Sequence, residues 1–139
     1  MQKKRLLPIS VQSFEVLRNA NCVYVDKTEY VYRLVHDVAQ FFLSRPRRFG
    51  KSLLLSTLKA YWEGKKELFS GLAIEKLEAD NADAWQPYPV LYIDFNGKNY
   101  QNDNALEDVL KSHLTAWEEQ YDINRVQDSL EERFKDLLK

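Results

Sequence analysis

Cysteine is nearly absent from this chain. Cys22 is the one cysteine among 139 residues, so no intrachain disulfide and no cysteine-built zinc site can form. Basic residues Lys3-Lys4-Arg5 open the chain, but Pro8, Gln12 and Ser13 interrupt the stretch after them, so no secretion signal is read there. A lone thiol without such a signal suits a cytoplasmic setting. Long hydrophobic runs are also missing. The longest stretches resemble Leu53-Leu54-Leu55, whereas a membrane-spanning helix needs about 20 apolar residues. Nor is there an excess of charge. Lys plus Arg (20) nearly balances Asp plus Glu (21), and a net charge of -1 gives no global attraction to nucleic acid or anionic lipid. No repeat, low-complexity tract, His-Asp-Ser or Cys-His constellation is visible.

What remains is ordinary globular material. Hydrophobic residues make up 45% and charged residues 29% of the chain. Seven Phe, eight Tyr and three Trp supply enough bulk for the core of one domain.

Residues 1–40 read as a lead-in with one short strand and one or two short helices. Ser13 is placed to cap a helix through Arg18, with Phe14 and Leu17 inward. Asn19-Ala20-Asn21 reads as a turn, and Cys22-Val23-Tyr24-Val25 as a short strand. Asp26 precedes a helix over 27–36 whose apolar face is Tyr30, Val31, Leu34 and Val35. Residues 41–139 read as the main α/β part. Phe41-Phe42-Leu43-Ser44 is a strand candidate buried on both faces. Residues 52–62 come next as a helix with Leu54, Leu55, Leu58 and Trp62 on one side, ended at Gly64. A short helical turn is expected over 67–71 and loop over 75–89. A second strand is expected over 90–95. Helices are expected over 104–120, capped by Asn102 or Asp103, and over 124–139. In the first of these, Leu106, Val109, Leu110, His113, Leu114 and Trp117 form the inward stripe. In the second it is Val126, Leu130, Phe134, Leu137 and Leu138. Alternating strands and helices predict an α/β sheet built by crossovers.

Between the first strand and its helix lies Arg45-Pro46-Arg47-Arg48-Phe49-Gly50-Lys51-Ser52. A phosphate loop has the pattern G-x-x-x-x-G-K-[ST] in this setting, and Gly50-Lys51-Ser52 keeps its second half. Arg45 stands where the first glycine would. Backbone amides opening a helix have no intrahelical partner and form an anion site. Gly50 allows close backbone approach, and Lys51 reaches the β- and γ-phosphate oxygens. The Ser52 hydroxyl is the candidate ligand for Mg²⁺. The competing reading is a capped helix start with solvated arginines. Thr57 reads as structural.

A wider set of residues carries a family resemblance. Leu7-Pro8-Ile9-Ser10 with Ser13-Phe14, Tyr24-Val25-Asp26-Lys27-Thr28, the run from Phe42 to Leu58, Phe69-Ser70-Gly71-Leu72 and the segment Pro89 to Phe95 resemble the prokaryotic predicted AAA-ATPase family. Arg45 in place of glycine matches that family's pattern. The resemblance implies a P-loop NTPase fold of αβα layers on a mostly parallel sheet. It implies ATP and Mg²⁺ as cofactors held by Arg45 to Ser52, with Ser52 on the metal. It implies that members continue into a strand ending in an Asp-Glu pair and into a nuclease-like domain. The chain then corresponds to the amino-terminal portion of a longer protein, and its sheet is incomplete. Self-association as in ring ATPases, and nucleic-acid contact through the further domain, are implied by the same resemblance.

Several residues keep two readings. Asp26, Lys27 and Thr28 line an adenine pocket or form a capped helix start. Asp94 is a metal-site carboxylate or a turn cap. His113 reads as a satisfied core histidine, and His36 as a cation at a helix end. Arg47 and Arg48 pair with phosphates, with an acidic partner, with nucleic acid, or with solvent, and Arg45 joins them in the phosphate and nucleic-acid readings. A degenerate loop serving as a scaffold for nucleic acid or a protein partner, without hydrolysis, is the alternative function.

Overall fold

The computed structural model of the protein describes residues 5–37, 39–96, 104–124 and 129–139. They form six α-helices: α1 (Phe14–Asn19), α2 (Thr28–Val35), α3 (Lys51–Trp62), α4 (Ala73–Leu77), α5 (Ala105–Gln120) and α6 (Leu130–Leu137). A 3₁₀ turn, Lys66–Phe69, lies between α3 and α4. The chain divides into two compact units, residues 1–90 and 91–139.

The expected α/β architecture with a mostly parallel sheet is corrected by this arrangement. Among the described residues there is no strand, and the only β-type pairing is an isolated parallel bridge between Leu6 and Cys22. The Val23 amide donates to the Leu6 carbonyl there (2.8 Å). Residues 41–44 and 90–95 carry strand-forming side chains but form no ladder with described residues. Phe41, Phe42 and Leu43 are 54%, 93% and 41% exposed, where burial on both faces was expected. A strand is completed by its neighbour's hydrogen bonds, and β-propensity mostly reports packing against such neighbours. A local apolar run cannot supply that neighbour.

One helix start and three helix ends show their local chemistry plainly. Ser13 caps α1, its hydroxyl accepting from the Val16 amide. Three helices end with a left-handed residue that lets the last carbonyls be satisfied. After α1 this is Asn21, with the Cys22 amide reaching back to the Leu17 carbonyl (3.0 Å). After α5 it is Asp122, with the Ile123 amide on the Glu118 carbonyl (2.9 Å). After α3 it is Gly64, with the Lys65 amide on the Ala60 carbonyl (3.1 Å). Here glycine is needed twice over. Its φ is +71°, and an added Cβ would lie 2.7 Å from the Trp85 carbonyl oxygen. The expected turn over 67–71 falls on the 3₁₀ turn, but α4 occupies part of the segment read as loop.

The core of the first unit is aromatic. Phe14, Val31, Ala60, Tyr61, Leu68, Phe69, Leu72 and Ile74 form it, with Tyr24, Leu53, Leu58, Trp62 and Trp85 against it. The Phe69 ring lies 4.9 Å from Phe14 and 5.0 Å from Trp85. Helix α3 turns Thr57, Ala60 and Tyr61 inward, while Leu55, expected on the buried side, is 50% exposed. Helices α1 and α2 both pack on α3, which fixes the helix that carries the candidate loop.

In the second unit α5 pairs with α6. Val109, Leu114 and Trp117 face inward as expected, but Leu106 is 51% exposed. The N-cap of α5 is Asn104; the expected caps Asn102 and Asp103 lie outside the described residues. For the last helix, residues 125–128 also lie outside them. What α6 buries is Arg133, while Phe134 and Leu138 are exposed.

Candidate phosphate-binding loop

Residues 39 to 50 are all exposed. The loop's handedness alternates: Arg48 has φ +65° and Gly50 φ +78°, with Phe49 between them not left-handed. Alternating handedness turns successive amides to one side, the backbone pattern of anion-binding concavities. Arg45, in the first glycine's place, is not left-handed, whereas Arg48 is. An added Cβ on Gly50 would meet nothing within 4 Å, so this glycine serves backbone conformation.

Helix α3 begins directly after Gly50. Its cap residue offers no side-chain bond, and its first turn contains no acid. The first amide with a helical acceptor is that of Leu54, on the Gly50 carbonyl (2.9 Å). The amides of Lys51, Ser52 and Leu53 therefore point out of the helix start without an intrahelical partner. Lys51 folds over the loop, its ammonium donating to the carbonyls of Arg45 and of Pro46 (3.2 Å).

The three Ser and Thr hydroxyls on α3 have distinct fates. Ser56 accepts from the Phe14 amide (2.9 Å) and lies 3.2 Å from the Gln12 carbonyl. Thr57, buried, donates to the Leu53 carbonyl (2.7 Å), a structural role as expected. The Ser52 hydroxyl bonds to no described residue. Arg45, Arg47 and Arg48 form no ion pair with a described residue.

The Asp26-Lys27-Thr28 group works as a double helix cap. The Asp26 carboxylate accepts from the Thr28 amide (2.9 Å) and hydroxyl (2.7 Å) with one oxygen. Its other oxygen accepts from the Ala73 amide (2.7 Å) at the start of α4. Thr28, fully buried, accepts in turn from the Ile74 amide (3.1 Å). Burial pushes the Asp26 carboxyl up, but the bonds from Thr28 and Ala73 outweigh it and hold it below the usual carboxylate range.

Glu78 was read as part of a polar loop and is instead buried. Its carboxylate accepts from Tyr61 (2.7 Å) and Asn81 (2.7 Å) and lies 2.8 Å from His36 Nε2. Burial would raise this carboxyl; the bonds from Tyr61, Asn81 and His36 prevail and lower it. Burial and the same bond push the Tyr61 hydroxyl well up. No sequence pattern marks Glu78, because its partners come from three separate segments. Asp94 caps a turn, its carboxylate accepting from the Asn96 amide (2.8 Å). His113 stacks on Trp117 and bonds the Asp94 backbone through Nε2.

These shifts fix a pH window. A carboxyl lowered in the folded state adds stability above its unfolded value, about 4, and loses it as pH falls through the folded value. A raised tyrosine adds stability below about 10 and loses it above. Denaturation from pH 7 down to 2 should show stability falling below about pH 5, with a shallower fall in the D26N/E78Q variant. Identical acid limbs for the two proteins would contradict the assignment.

Comparison with known proteins places the chain. The model of the predicted AAA-ATPase family matches residues 8–139. The uncharacterized protein in vnfD 5'region of Azotobacter chroococcum mcd 1 is 37% identical over 140 residues, covering 100% of this chain and 26% of that protein. The chain thus spans about a quarter of that relative's length. No solved structure matches it. No group of three metal-binding side chains occurs among the described residues, and none of their helices is long and apolar enough to cross a membrane. By its match over almost all its length, the chain belongs to the predicted AAA-ATPase family.

Proposed function

We propose that the chain binds the phosphate tail of ATP, with Mg²⁺, through Arg45, Pro46, Arg47, Arg48, Phe49, Gly50, Lys51 and Ser52, as the nucleotide-binding portion of an ATPase. The observation that carries this reading is the start of α3. It has three outward amides, and alone among the α-helices of the described residues it has no acid in its first turn to answer them. Lys51 stands over the loop to neutralise phosphate charge.

The donor chemistry fits Mg²⁺. Ser52 offers a hard oxygen that no described residue occupies. Phosphate oxygens of the bound tail would supply further ligands, as this ion prefers. Bound there, it would neutralise charge on the terminal phosphates. The chain's own groups bind and orient the phosphate tail; hydrolysis belongs to the proposed activity of the whole protein.

Titration calorimetry of Mg-ATP into wild type and K51A tests this. Loss of one charged hydrogen-bonding group should weaken binding about tenfold to a hundredfold. Equal affinities for the two proteins would sink the reading. A second reading, nucleic-acid binding at the same loop, is favoured by the three arginines that pair with no described carboxylate. A salt-sensitive gel shift of single-stranded DNA that persists in excess ATP would support it instead.

A further inference from the structure

We draw no further inference here: the strongest candidate, the exposed apolar patch of Phe41, Phe42 and Leu43 on the segment between α2 and α3, carries nothing, because nothing in the structure shows what covers it.

Discussion

Arg133→Met should pull α6 away from α5. Arg133 is 4% exposed and holds the Glu118 carboxylate with two bonds, Nε to Oε1 and Nη2 to Oε2, each 2.7 Å. It also donates to the Thr115 hydroxyl (3.0 Å). Glu118 is itself 7% exposed. Removing one partner of a buried pair costs about 3–5 kcal/mol, because the remaining charge keeps its desolvation penalty. Hydrogen exchange of α6 amides should become fast in R133M. The double variant R133M/E118L should recover much of the protection, since replacing both charges by apolar groups is often neutral or better. Unchanged exchange in R133M would show that the pair contributes nothing to the helix contact.

Phe69→Ala should destabilise the first unit by about 3–5 kcal/mol. The ring is fully buried and touches Phe14, Tyr61 and Trp85. Those neighbours come from α1, from α3 and from the segment beyond α4, so truncation opens a cavity where all three meet. Trp85 itself sits at φ +66°, a conformation that bulky residues rarely adopt and that packing must hold. Loss of Phe69 removes part of what holds it. Urea denaturation monitored by tryptophan fluorescence should show a midpoint well below wild type. A shift worth less than about 1 kcal/mol would mean that the core collapses to fill the space.

The helices were largely legible in the sequence, and for local reasons. Ser13 and Asp26 sit where caps belong, and both cap. Periodicity located α3 and α5 to within a residue or two. The sheet expected from the sequence is absent among the described residues, because a local apolar run does not supply the neighbour that completes a strand. Phe41-Phe42-Leu43 has the composition of a buried strand and lies exposed. Burial was legible only where size and polarity agree with it. Thr57 and Arg133 are buried through specific bonds, which a hydrophobic pattern cannot register.

At the candidate loop, Gly50-Lys51-Ser52 and the helix behind it were legible. The left-handed Arg48 was not, since nothing in an arginine announces that geometry. The engagement of Asp26 with two helices was half legible: the cap on α2 is local, whereas the bond to Ala73 spans 47 positions. Glu78 was invisible, its partners lying 3, 17 and 42 positions away.

The Ser56 hydroxyl gives α3 a built-in reporter. Because the Phe14 amide ends on that oxygen, one turn below the loop, its proton can exchange with solvent only when the two segments part. A single peak in an NMR spectrum, tracked after transfer to D₂O, would then record how often the first turns of α3 breathe, without any label placed on the loop itself.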